Sequence, residues 1–254
     1  MGLGRTAAIV VGSLPLAESD RVVTFFSRQY GKIRGVARAA RRMRSRFTGA
    51  LELGTQGELV FFDSGRSELV QVDHFDVLRP FARVRDDLDR LAQAAWMAEC
   101  VTRLTAERDP NAAVYGLLGR GLAAIEAGRP PRRVAVVFGL RLVDALGHRL
   151  RADACVECGR RPAGAITVDV EAGGLLCPAC APGARASVRL APGSLAALRR
   201  LRGQAWDEAT AEPLGRAEGE LRELLDLQVA HLAGRPARAT RFVREIERFS
   251  GERR

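Results

Sequence analysis

At about 150 residues per domain, 254 residues have room for one large domain or two to three small ones, and 47% hydrophobic with 28% charged residues is a globular, soluble composition. No run approaches the ~18 uninterrupted apolar residues of a membrane span, and Met1 to Gly12 lacks the apolar core and cleavage site of a secretory signal, so a cytoplasmic protein without membrane association is expected. Forty Lys and Arg against thirty Asp and Glu leave +10, which favours a polyanionic partner, but Lys32 is the only lysine and a general preference for arginine accounts for part of the excess.

Up to residue 80 the pattern is that of strands: Thr6 to Val11 with a turn at Gly12 and Pro15, Arg21 to Phe26, Gly31 to Ala37, Gly57 to Phe62 and Ser67 to Val72, the last two joined by Asp63-Ser-Gly-Arg66. Five short strands predict a small β-barrel, either the oligonucleotide-binding (OB) type or an SH3-like one. After Pro80 the period becomes helical, with Val84, Leu88, Leu91, Ala95, Ala98, Val101 and Leu104 on one face. A second helix fits Asn111 to Ala127, with Val114, Leu117, Leu118, Gly121, Leu122 and Ile125 inward. The third, from about Arg132 to Leu146, is opened by Pro130-Pro131 and closed by Gly147. Beyond a Gly/Pro/Cys-rich stretch, helical spacing returns in Leu195, Leu198 and Leu201, then in Leu214, Glu218, Leu221, Leu225 and Val229 or Leu232, and finally in Phe242, Val243, Ile246 and Phe249. The expected organisation is a multi-domain β plus α chain: a barrel over 1–80, and an all-α domain over 81–153 and 185–254 interrupted by a small module at 154–184.

That module holds Cys155-Val-Glu-Cys158 and Cys177-Pro-Ala-Cys180, two C-x2-C pairs with eighteen residues between them. Each pair can wrap a tight turn that aims two thiolates at one ion, and Ala165 to Val170 with Gly173-Gly174 makes a hairpin between the knuckles. Two disulfides, a redox dithiol or an iron–sulfur cluster are the rivals. A reducing cytosol disfavours the disulfides, and two pairs exceed what a redox site needs. One structural zinc ion held by Cys155, Cys158, Cys177 and Cys180 is expected, with no open position for chemistry. Cys100, inside the first helix pattern, reads as a small buried hydrophobe.

Catalytic signatures are missing: no G-x-x-x-x-G-K-[ST], no H-E-x-x-H and no G-x-S-x-G occurs. His74, His148 and His231 lack motif-spaced partners, and Asp86, Asp87 and Asp89 read as acids at a helix start. A non-enzyme is expected. Charge, by contrast, is unevenly distributed. Between Asp20 and Glu52 there is no carboxylate, yet Arg28, Lys32, Arg34, Arg38, Arg41, Arg42, Arg44 and Arg46 fall there. A mobile arginine loop leaving the third strand would neutralise phosphates without reading bases, and Tyr30, Phe47 and some of Phe25, Phe26, Phe61 and Phe62 offer stacking surface.

Three stretches together resemble the RecO family of bacterial recombination mediators: Ile9 to Thr24 continuing through Tyr30-Gly-Lys-Ile33 to Ser45-Arg46-Phe47; Phe138 to Gly147 leading into Cys155-x2-Cys158-Gly159; and His231-Leu-Ala-Gly234 with Arg241 to Ile246. Their order is what is specific. The resemblance implies an N-terminal OB-fold, a helical domain and a zinc module that some members lack. It also implies binding of single- and double-stranded DNA, strand annealing, docking on the single-strand-binding protein, and cooperation with RecR in loading RecA, in a cytoplasmic, nucleoid-associated protein. Ala39 stands where a glycine is usual, Met43 where proline is common, Gly139 where an acid is common and His148 where an aromatic is common. The acidic, apolar-ended tail of single-strand-binding proteins calls for arginines beside a hydrophobic slot, for which Arg132, Arg133, Phe138, Arg141 and Leu142 are the candidates. The competing function is a zinc-ribbon nucleic-acid-binding adaptor in transcription or translation.

Overall fold

The computed structural model describes residues 2–161, 164 and 166–251, and at 241, 244 and 247–251 it describes the backbone alone. Ala165, expected to open a strand, and the inward position expected of Phe249 lie outside what is described. The chain forms two compact units, Met1–Ala127 and Gly128–Arg254.

In the first unit, β1 (Gly2–Leu16), β2 (Asp20–Ser27), β3 (Gly31–Ala37), β4 (Gln56–Asp63) and β5 (Leu69–Arg79) close into a barrel in the order β1-β2-β3-β5-β4. All neighbours are antiparallel except β3 and β5, which pair in parallel through Arg34/Leu69 to Val36/Gln71. This is the OB-fold. Alternation fills its interior with Ala8, Val10, Val23, Phe25, Ile33, Leu59, Phe61, Val70, Val72 and Phe75. Gly4 is inward because the Phe61 ring occupies the space that a Cβ there would need.

The turn expected at Gly12 and Pro15 does not form. β1 instead continues to Leu16 with a bulge between Val10 and Gly12, and the chain reverses at Ala17–Ser19. A bulge bends one long strand so that its first half pairs with β4 and its second half with β2, as barrel closure requires. Similarly β5 outlasts the expected end at Val72, and β4 bulges at Val60/Phe61 to follow it.

Helices α1 (Leu88–Leu104) and α2 (Ala112–Glu126) belong to the same unit, with α1 packed on β1 and on α2. Asp87 caps α1 by accepting from the Arg90 N–H at 3.0 Å, and Asn111 caps α2 by accepting from Val114 at 3.0 Å. All six residues expected inward on α2 are buried. On α1 the buried face is rotated from the expected one: Trp96, Met97 and Cys100 are fully buried, whereas Leu88 is 63% exposed. Burial against both a sheet and a second helix widens the apolar face beyond a single stripe.

The second unit holds α3 (Pro131–Ala145), β6 (Ile166–Asp169), β7 (Gly174–Leu176), β8 (Ser187–Leu190), α4 (Pro192–Gly203), α5 (Trp206–Ala211), α6 (Arg216–Ala233) and α7 (Arg238–Gly251). Its helices α3, α4 and α6 pack on one another, and the sheet β7-β6-β8 joins them through β8 and α6. Phe242 corrects the reading of α7: it is 39% exposed, while Val243 and Ile246 are buried. No helix among the described residues is long and apolar enough to cross a membrane.

Candidate metal centre and nucleic-acid interface

The four cysteines of the C-x2-C pairs converge, with all Sγ atoms within 4.8 Å of one another and Cys158 and Cys177 at 3.6 Å. A tetrahedron with metal–sulfur bonds of about 2.3 Å has edges of roughly 3.8 Å, so the donor set fits one tetrahedral ion. Each knuckle is made by its own backbone: Gly159 N–H donates to Cys155 O at 2.9 Å from a left-handed φ of 72°, and Cys180 N–H donates to Cys177 O at 2.9 Å. The first knuckle is laid on β7 by Val156 N–H, which donates to Leu175 O at 2.9 Å. Burial pushes the Cys155 thiol up, but N–H groups of Cys158, Cys177 and Glu157 outweigh it and bring it down to about 6. Cys180 is pushed up to about 12, first by its bond with Cys177 and then by burial. Thiolate is the form in which cysteine binds a metal ion, so binding of a cation at these sulfurs would release their protons.

The hairpin between the knuckles is locked by Asp169, which is 2% exposed. Its carboxylate accepts from the N–H groups of Glu171 at 2.8 Å, Ala172 at 3.0 Å, Arg185 at 2.6 Å and Ala186 at 3.3 Å. Burial alone would raise its pKa, and the four N–H groups together hold it below the usual carboxylate range. These bonds bring in the segment that leads to β8, a strand the sequence pattern did not reveal.

On the first unit, the connection from β3 to β4 is a chain of turns. It is not the free loop that its composition predicts. Phe47, Ala50 and Leu51 are buried in the barrel core, and Arg42, Ser45, Thr48 and Ala50 N–H groups each donate to the carbonyl three residues back. The β1–β2 turn anchors its start: Ala39 N–H donates to Asp20 Oδ1 at 2.8 Å and Arg41 N–H to Ser19 O at 2.9 Å. The Ala39 N–H, followed by the Ser19 hydroxyl, holds the Asp20 carboxyl below its ordinary range. Ala39 itself has φ of 55°, the left-handed region that favours glycine.

With its apolar residues inside, this connection turns Arg38, Arg41, Arg42, Arg44 and Arg46 outward, and Arg28 and Arg34 are exposed on the same barrel. Arg46 lies 5.0 Å over the Phe47 ring and 4.0 Å from Asp73. Of the aromatic candidates, Phe25, Phe26, Phe47 and Phe61 are core, whereas Tyr30 is 40% and Phe62 47% exposed. Lys32 requires a correction. Buried to 8% exposure, its ammonium donates to the carbonyls of Thr102 at 2.6 Å and Thr105 at 2.8 Å and lies 3.4 Å from Glu107, so it caps the C-terminus of α1 and is not part of the exposed basic surface. Conversely, Arg21 went unselected although it opens the same carboxylate-free stretch. It stands beside the turns and pairs with Glu52 at 3.3 Å.

The slot expected on α3 is also corrected. Phe138 and Leu142 are fully buried core residues, and two of the three arginines face inward to neighbouring helices. Arg133 donates to Ala211 O at 3.0 Å, while Arg141 donates to Gln204 O at 2.6 Å with its guanidinium 6.0 Å over Trp206. Arg132 lines a cleft of about 540 Å³ with Glu218, Arg222, Glu223 and Asp226, in which Glu218 lies 3.6 Å from Arg133 and Asp226 3.2 Å from Arg222. Of the histidines, His74 lies 2.9 Å from Asp73 and 3.5 Å from Asp76, and His148 and His231 are exposed.

Comparison with known proteins covers nearly the whole chain. The model of the recombination protein O N terminal matches residues 1–81 and that of the recombination protein O C terminal matches residues 85–240. The DNA repair protein RecO of Anaeromyxobacter dehalogenans (strain 2CP-1) is 38% identical over 249 residues, covering 97% of this chain and 98% of that protein. Those of Frankia casuarinae and Myxococcus xanthus are 36% identical over 212 residues and 30% identical over 239 residues. They cover 82% and 94% of this chain, and 85% and 96% of their own lengths.

Proposed function

The chain belongs to the RecO family of DNA repair proteins, and from that premise we propose that it is a non-enzymatic recombination mediator that binds single- and double-stranded DNA and anneals complementary strands. The observation that carries this reading is the set of seven exposed arginines, Arg28, Arg34, Arg38, Arg41, Arg42, Arg44 and Arg46, on one barrel in a stretch without a carboxylate. Two strands brought to such a surface lose their mutual repulsion, so pairing accelerates by proximity and charge neutralisation without nucleotide hydrolysis. Family membership supports cooperation with RecR in loading RecA onto DNA coated by single-strand-binding protein, and nucleoid association with it.

In this reading Cys155, Cys158, Cys177 and Cys180 hold one zinc ion whose role is structural. Four thiolates leave no site for water or substrate, and zinc is the ordinary occupant of such a set. The test is strand annealing by the full chain, measured with bare complementary oligonucleotides and with oligonucleotides coated by single-strand-binding protein, beside metal analysis of the same preparation. Accelerated annealing in both arms without ATP and about one zinc per chain are expected. Annealing at the spontaneous rate would overturn the mediator reading, and thiols without zinc would overturn the metal assignment.

A further inference from the structure

The arginine turns enclose a cleft as well as a charged surface. Its volume is about 380 Å³, within the range of small-ligand sites. Phe47 and Leu51, 3% and 1% exposed, underlie it, Arg21, Arg41 and Arg42 line it, and Met43 stands beside it completely exposed. Three features distinguish this from a solvated charge run. Beside the guanidinium groups stands the fully exposed apolar side chain of Met43, for which phosphate binding alone has no use. The buried Nε of Arg21 has no hydrogen-bond partner among the described residues, and Glu52 places an acceptor in the same lining. The walls are also preformed: Asp20 and Ser19 hold the backbone of Ala39 and Arg41, and Arg41 Nη1 donates to Ala17 O at 3.2 Å.

We infer that this cleft receives one unstacked base of single-stranded DNA, with the flanking phosphates on the arginines outside it. A base presents an apolar face together with N–H and carbonyl edges, which is what Met43 and the guanidinium planes of Arg41 and Arg42 combined with Arg21 and Glu52 complement. A free nucleotide would not need the charge to continue, yet Arg38, Arg44 and Arg46 are exposed on the same connection outside the cleft lining. In a duplex the base is paired and stacked, and extracting it costs free energy, so the cleft favours single strands where the arginines alone would not. Holding one base at a time also leaves the others open to a complementary strand.

The inference rests on the DNA-binding reading of these turns, and the experiment separates the two. Binding of the full chain is measured by fluorescence anisotropy to a thymidine 20-mer and to a 20-mer of the same backbone in which every position is abasic. The parent is expected to bind the abasic strand about tenfold more weakly, with the salt dependence unchanged. In Thr48→Leu, which places an aliphatic side chain in the cleft lining, and in Met43→Ala, which alters only an exposed group, that advantage should shrink while affinity for the abasic strand stays the same. Equal binding of the two strands by the parent, with both weakened when Arg41, Arg42, Arg44 and Arg46 become alanine, overturns the base cleft and leaves the DNA surface standing. An advantage that survives both cleft variants overturns its location. Affinity for both strands that withstands the four arginine substitutions overturns the DNA reading itself.

Discussion

The arginines of the 38–46 turns and those around α3 differ in where their guanidinium groups end. In the second unit Arg133 and Arg141 reach carbonyl oxygens, and Arg202, its side chain 5% exposed, donates to Leu150 O at 2.9 Å and to Asp144 at 3.0 Å. Helix and loop ends there supply carbonyls, and carboxylates lie within reach. In the turns of the first unit the backbone N–H groups take several of the local carbonyls and no carboxylate occurs from residue 21 to 51, so the guanidinium groups stay exposed even where Arg41 reaches Ala17 O at 3.2 Å and Arg46 lies 4.0 Å from Asp73. The same residue type therefore ties helices together in one region and faces solvent in the other. Local absence of acceptors, more than local density of arginine, marks a surface open to phosphate.

Arg202→Met is the strongest way to sharpen this contrast. It leaves Asp144 partly buried without its cation, and chemical denaturation should show a loss of about 3–5 kcal/mol, with DNA affinity of the folded protein unchanged. Lys32→Met follows. Removing the donor to two α1 carbonyls should cost about 1–3 kcal/mol, again without loss of DNA affinity. A fall in affinity with stability intact would instead return Lys32 to the DNA surface. The smallest effect is expected from Ala39→Gly, which relieves a left-handed backbone and should raise stability by about 0.5–1 kcal/mol, read as a higher denaturation midpoint at unchanged slope. No gain there would mean that the turn tolerates alanine without strain.

Much of the fold was legible because single residues carry strong local signals. β3 matched its expected bounds and α2 its expected core, since a short strand-forming run opened by Gly31 marks one and an Asn cap followed by a clean apolar stripe dictates the other. Long-range effects escaped. The bulge that carries β1 past Gly12 is imposed by barrel closure, and the rotated face of α1 by its two packing partners. β8 owes its place to pairing with β6 and to Asp169, and a four-residue strand beside glycines and prolines has no pattern of its own. At the sites, cysteine spacing foretold the cluster because two C-x2-C pairs, each wrapping its own tight turn, are a strong local signature. Side-chain direction left none: nothing in the sequence says that Lys32 turns toward α1, or that Phe138 and Leu142 face the core and not a slot.

The central claim is that the arginine turns are the DNA surface, and its most direct test is the salt dependence of DNA affinity in a variant with Arg41, Arg42, Arg44 and Arg46 all replaced by alanine. All four side chains are exposed, so the variant should keep its stability within about 0.5 kcal/mol per site. Affinity should fall for every DNA sequence alike, and the slope of log K against log salt should flatten by about 0.7–0.9 for each phosphate that is no longer neutralised. A folded variant with the parent's affinity and slope would contradict the account.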